Sequence, residues 1–329
     1  MNFHIFVLHS CKNDGIIAIQ VNIPHAQACT KERIMLHSTT AYNATRVFGI
    51  EEGVAKLIDA GFPALDFGFF GDYSYIDDEN YKERFSALRK YANDRGVIFN
   101  QAHAPFGGGF EKYTKEKVPK LPRVFEICGI LGVEGVVVHP VQNGRYYGRA
   151  EELFEVNMSF YRSLAPFAKD CGVKILIENM WQRHPKAGYI IDDVCAPPAE
   201  LVRYYDTLND PEAFGICLDL GHVALCGREP EDAIRTIGHD RLTALHVHDV
   251  DYKDDLHTLP GFGSLNWDKI CRALAEIDYK GVFTLESDGA FGKETDRDFL
   301  PTAFRFMSDT ARFCAEKIER YKREIKGEN

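Results

Sequence analysis

Six residues able to bind a metal or carry a proton stand at the ends of short apolar runs. His103 closes Val97-Ile98-Phe99-Asn100-Gln101-Ala102, and His139 closes Val136-Val137-Val138. Glu178 follows Lys174-Ile175-Leu176-Ile177, and Asp219 follows Phe214-Gly215-Ile216-Cys217-Leu218. His246 follows Thr243-Ala244-Leu245, and Glu286 follows Val282-Phe283-Thr284-Leu285. Any one of them alone reads more simply as a solvated loop residue or the partner of a helix end. Six in the same place of a repeating unit are hard to assign to chance. Carboxylates and imidazoles crowded together repel or stay incompletely paired without a cation, whereas a divalent ion neutralises and organises them. The mixed oxygen and nitrogen set admits Mn2+, Mg2+, Co2+, Fe2+ or Zn2+.

Other residues nearby extend the set. Alternation along the seventh run puts His246 and His248 on one face and Val247 and Asp249 on the other, which makes His248 a further candidate ligand. Its plainer role is a hydrogen bond behind the site. His222 lies three residues after Asp219, and Asp255 and His257 precede Gly261-Phe262-Gly263 on a long loop. Arg145, Tyr146, Tyr147, Trp181 and Arg183 offer cationic donors and aromatic faces suited to a sugar ring, with a solvated loop as the equally good alternative. Gly107-Gly108-Gly109 reads as a turn and matches no phosphate-binding motif.

The elements that must position these residues repeat. Apolar runs at 34–39, 64–69, 97–103, 134–139, 173–178, 214–219, 242–248 and 281–286 read as strands and alternate with amphipathic segments. Leu153, Val156, Phe160, Leu164 and Phe167 recur at helical steps, as do Trp267, Ile270, Leu274 and Ile277. Gly61, Gly96 and Gly172 suit helix ends, while Asn266 and Pro197-Pro198 suit helix starts. Eight such units predict an α/β fold, a single (β/α)8 TIM barrel with its chemistry at the C-terminal strand ends. An open doubly wound sheet shares the alternation. The pattern begins only at Ile34-Met35, so residues 1–34 read as an extension or as a start assigned too early, 35–323 as the barrel and 324–329 as a tail.

Composition narrows the partners. The chain has 329 residues and a formal net charge of −10, which disfavours nucleic acid as a partner. Nine cysteines stand singly without CxxC pairs, which fits a reducing cytoplasm. No apolar stretch approaches the roughly 20 residues of a membrane span, and the opening run lacks a basic leader. Assembly into a homo-oligomer stays open.

With these motifs in hand, the chain resembles the xylose isomerase-like TIM-barrel superfamily of sugar phosphate isomerases and epimerases over about residues 35–315. The resemblance is carried by His103-Ala104-Pro105-Phe106, Val138-His139-Pro140, Ile177-Glu178-Asn179, Leu218-Asp219-Leu220-Gly221-His222, His246-Val247-His248-Asp249 and Leu285-Glu286-Ser287. It implies one divalent metal held by Glu178, Asp219, His246 and Glu286. It further implies that Glu178 and Glu286 move the substrate proton and that His222 contacts a substrate oxygen; by residue type and position, His103, His139, Trp181 and Arg145 are further substrate-binding candidates. The endonuclease IV branch adds histidines on the third and fourth strands and an Asp-x-His pair, here matched by His103, His139, Asp255 and His257. Gly261-Phe262-Gly263 replaces that branch's acidic turn, and His184 and Tyr252 replace substrate-binding residues of the ketose 3-epimerases.

The expected function is therefore a divalent-metal-dependent isomerase or epimerase of a sugar or sugar derivative, working by intramolecular proton transfer through a metal-stabilised enediolate. Three alternatives accompany it: an endonuclease IV-like zinc phosphodiesterase on abasic DNA, a metal-dependent sugar lyase or dehydratase, and a metal-binding partner subunit without turnover.

Overall fold

A computed structural model of the protein describes residues 35–328 apart from 72 and 293. The expectation for residues 1–34 lies outside the described residues. Eight parallel strands follow in order: β1 His37–Thr40, β2 Ala64–Gly68, β3 Ile98–His103, β4 Gly135–Val137, β5 Lys174–Glu178, β6 Phe214–Asp219, β7 Leu242–His246 and β8 Phe283–Leu285. Each pairs with the next in chain order, and β1 also pairs with β8. The ring closes where Val247 N donates to Thr284 O and Glu286 N to Val247 O, both at 2.9 Å. Every expected run overlaps one strand, and closure excludes the open sheet.

A helix follows each strand: Ile50–Asp59, Tyr81–Asn93, Leu121–Leu131, Ala150–Asp170, Pro198–Leu208, Pro230–Ile237, Trp267–Glu276 and Leu300–Lys326. The expected punctuation is present. The Asn266 side chain accepts from Lys269 N at 3.2 Å, and Gly61 adopts a left-handed φ of 96° after its helix, a conformation that glycine reaches without a Cβ clash. The last helix runs to Lys326, so residues 324–326 of the expected tail are helical, because Tyr321 and Lys322 still pack inward at its end. Among the described residues no helix is long and apolar enough to cross a membrane. Seven described cysteines are free thiols, five of them buried.

Apolar packing occurs in two places. The larger core fills the space between sheet and helices, while Val137, Leu176, Cys217 and Ala244 form a small plug inside the barrel. Gly135 and Gly215 make room for it, since a Cβ at either would overlap the Leu176 side chain. Side chains two residues apart on a strand share a face. His139, Glu178, Asp219 and His246 each stand two residues after a plug residue, so the pleat that buries the plug turns all four into the barrel mouth.

Candidate metal centre

Glu178, Asp219, His246 and Glu286 converge above the plug from β5, β6, β7 and the end of β8, with one ligand atom from each lying within 4.8 Å of the others. All four are buried. His246 Nδ1 lies 2.6 Å from Glu178 Oε1 and 3.3 Å from Glu286 Oε2. His103, Glu178 and His246 form a second group of ligand atoms, and His222, His248, Asp255 and His257 a third.

The histidines are oriented by what their other ring nitrogens touch. A carbonyl oxygen only accepts, so Nδ1–H donates from His103 to Ala104 O (2.8 Å), from His222 to Asn179 O (2.8 Å) and from His257 to Glu286 O (2.7 Å). In His103 and His222 the bond places a proton on Nδ1 and turns Nε2 toward the cluster, the arrangement a metal ligand requires, whereas His257 Nε2 lies 3.2 Å from Asp255 Oδ1. His139 Nε2 lies 3.1 Å from His103 Nε2 and 2.9 Å from Glu178 Oε2. Burial lowers His139 to about 4, which keeps it neutral.

His248 Nε2 meets the two Asp219 oxygens at 3.0 and 3.1 Å, and its ring stacks on His257 at 4.0 Å. Its Nδ1 has no hydrogen-bond partner. Asp255 and His257 meet at 3.2 Å at the edge of the mouth.

Charge in the pocket is unbalanced. Burial raises Glu286 well above the usual carboxylate range, helped by Glu178 and Asp219 and opposed by His246 and His257. Burial acts in the same sense on Glu178 and Asp219, but neighbouring histidines outweigh it and hold both below that range. Burial would also lower His246 and His257, yet the surrounding carboxylates raise both. Without a cation, protons on these imidazoles supply the positive charge that the carboxylates demand. Glu178 Oε2, His246 Nε2, His248 Nδ1 and Asp255 Oδ1 are buried without a hydrogen-bond partner. Buried polar atoms without partners, beside two imidazole nitrogens 3.1 Å apart, fit one or more divalent cations.

The walls combine aromatic and polar groups. Phe106 lies 4.5 Å from His139 and 4.9 Å from His103, and Phe70 lies 4.9 Å from His103, ring centre to ring centre. Trp181, on a hairpin of Trp181–Arg183 and Ile190–Asp192, meets the His222 ring edge-on at 6.3 Å. Arg145 is exposed on the loop after β4, and no hydrogen bond or ion pair joins it to the cluster among the described residues. Gly107, Gly108 and Gly109 all have positive φ and form a turn.

Three further residues belong to the centre. Asn179 braces Asp219 by donating to its carbonyl (2.9 Å) and accepting from its N–H (2.8 Å). Asp288 Oδ1 lies 3.1 Å from His257 Nδ1. Asp66 lies 3.6 Å behind His246. Asn179 and Asp288 adjoin residues singled out by the strand-end pattern; Asp66, inside a strand, gave no such signal.

The xylose isomerase-like TIM barrel family model matches residues 54–303. The chain belongs to this xylose isomerase-like family. Its relatives differ in chemistry: the D-psicose 3-epimerase of Enterocloster bolteae is 26% identical over 240 residues, which are 67% of this chain and 73% of that one. The probable endonuclease 4 of Mesoplasma florum is 24% identical over 223 residues, 61% of this chain and 70% of its own. A crystal structure of a D-tagatose 3-epimerase-like protein aligns with a TM-score of 0.69 at 20% identity, covering 88% of this chain and 100% of that one, a likeness of fold. Within this xylose isomerase-like chain, the matched segment contains every candidate ligand named above.

Proposed function

We propose that the protein is a divalent-metal-dependent isomerase or epimerase of a sugar or sugar derivative. The observation that carries this reading is the convergence of Glu178, Asp219, His246 and Glu286, ligand atoms within 4.8 Å, in the mouth of a xylose isomerase-like barrel. These four would hold the ion, which when bound supplies positive charge to polarise a carbonyl and steady the negative charge that follows loss of an adjacent proton.

The remaining work falls to side chains. One of Glu178 and Glu286 takes the proton as the substrate C–H bond breaks, and the other returns a proton to the neighbouring carbon or to the opposite face of the same one. The first outcome is isomerisation and the second epimerisation. His222 Nε2, held toward the cluster by Asn179, is placed to meet a substrate oxygen. Trp181, Phe106 and Phe70 provide faces for the apolar side of a sugar. His103 and His139 face the same space, and Arg145 is assigned to an anionic substituent reached from the rim.

A second reading is favoured by the two additional ligand groups, His103 with Glu178 and His246, and His222 with His248, Asp255 and His257. Three ions there would suit phosphodiester hydrolysis, as the similarity to a probable endonuclease 4 also suggests.

The readings separate in one experiment. Metal-loaded protein is incubated in deuterium oxide with ketoses, ketose phosphates and inososes, and in parallel with abasic DNA. The proposal expects a substrate C–H signal to wash out, and Glu286→Gln to slow the exchange by about 10²–10⁴-fold. Exchange accompanied by loss of a β-substituent would indicate a lyase. Nicked DNA without exchange would replace the proposal with the second reading, and neither activity would leave a metal-binding partner subunit.

A further inference from the structure

Asp66 is a buried carboxylate without an adequate partner. It is 1% exposed and lies inside β2, between Leu65 and Phe67. Its Oδ2 accepts one hydrogen bond, from Gln101 Nε2 at 3.1 Å, and its Oδ1 accepts none. Burying a carboxylate so poorly satisfied is unfavourable, so a position that keeps one calls for a compensating interaction.

The nearest group of opposite character is the far side of His246. Its Nδ1 faces Glu178 and Glu286, while its Nε2 has no hydrogen-bond partner and lies 3.6 Å from Asp66 Oδ2. His103 stacks on the imidazole at 5.4 Å with planes 9° apart, which restricts rotation of the ring. An unsatisfied ring nitrogen able to donate therefore faces a carboxylate with one oxygen still unsatisfied, across a gap that a small rotation of the carboxylate closes.

We propose that Asp66 is the positioning residue of the metal centre, holding the proton of His246 on Nε2 and thereby keeping Nδ1 unprotonated and aimed among the carboxylates. The role rests on the reading of His246 as a ligand. A neutral imidazole has one lone pair, and the hydrogen bond made by the other nitrogen decides which nitrogen presents it. A carboxylate behind the ring also makes the imidazole a better donor to a cation, an effect typically worth about 10–100-fold in affinity. Gln101 completes the arrangement: it donates to Asp66 Oδ2 and also reaches Leu245 O, at 3.4 Å, on the strand that carries His246.

The test uses zinc, which is diamagnetic, on wild-type protein, Asp66→Asn and His246→Ala. Asparagine preserves shape but can offer an N–H where His246 needs an acceptor. Zinc affinity is measured by chelator competition, and the His246 Nε2–H is followed by proton and nitrogen NMR in the zinc-loaded protein. Asp66→Asn is expected to bind zinc about 10–100-fold more weakly, and its Nε2–H signal to move upfield and exchange faster with water. A purely structural role would lower thermal stability without moving that signal. If His246→Ala loses zinc while Asp66→Asn keeps wild-type affinity and an unchanged Nε2–H, the role of Asp66 is overturned and the metal centre stands. Wild-type protein that takes up no zinc overturns both.

Discussion

His37 and His139 are both buried, and burial keeps each neutral, but they serve different ends. His139 faces the candidate metal centre, whereas His37 lies at the start of β1, bonded through Nε2 to Ser308 Oγ at 3.1 Å and packed on Phe62. Burial, with Arg312 nearby, lowers His37 to about 4. Its folded-state value is therefore below its unfolded value, so the unfolded chain binds the extra proton first as pH falls. The contribution is fully present above about pH 6.5 and is lost between there and about 4, a total on the order of 2–3 kcal/mol. Denaturant unfolding of wild type and His37→Gln at pH 7.5 and 4.5 checks this: the stability gap between them should shrink at the lower pH, and a constant gap would contradict the assignment. At this scale the strand-end cluster was legible because each member ends an apolar run. Asp66 was not, since it sits mid-strand and its meaning depends on a histidine five strands onward.

Elements decide how tightly those residues are held. The short helix Leu220–Leu225 begins at Asp219, whose Oδ1 accepts from His222 N at 2.7 Å, so one carboxylate caps the helix and joins the centre. Gly221 faces the His248 ring so closely that a Cβ there would overlap it. Gly221→Ala should push His248 away from Asp219, destabilise the protein by about 1–3 kcal/mol and weaken metal uptake; unchanged melting and metal content would count against this packing. The loop after β7 is tied by Asp249, which accepts from Val250 N, Leu265 N, Gly261 N and the Trp267 indole. Alternation along β7 foretold that Asp249 points away from His246, but its four partners arise from a loop path that no periodicity encodes. Strand positions were readable for the same reason, and where ends moved, by one to three residues, apolar character often outlasts pairing: Val138 and His139 continue β4 beyond its last paired residue, Val137.

For the whole molecule, closure of eight strands brings residues from opposite ends of the sequence to one mouth, with a dry plug of four side chains as its floor. The repeated strand-helix unit made this architecture legible, since a parallel sheet needs crossover helices and eight units suffice to close a ring. Substrate identity was not legible, because the walls come from loops and the hairpin, whose lengths vary without disturbing the barrel. The central claim concerns the mouth itself. Elemental mass spectrometry on wild type, Asp219→Asn and His246→Ala, purified without added metal and again after reconstitution, tests it most directly. The account predicts about one equivalent of divalent metal per chain, lost from both variants, while about three equivalents of zinc would favour the hydrolytic reading. Wild-type protein that binds no divalent metal after reconstitution would contradict the account.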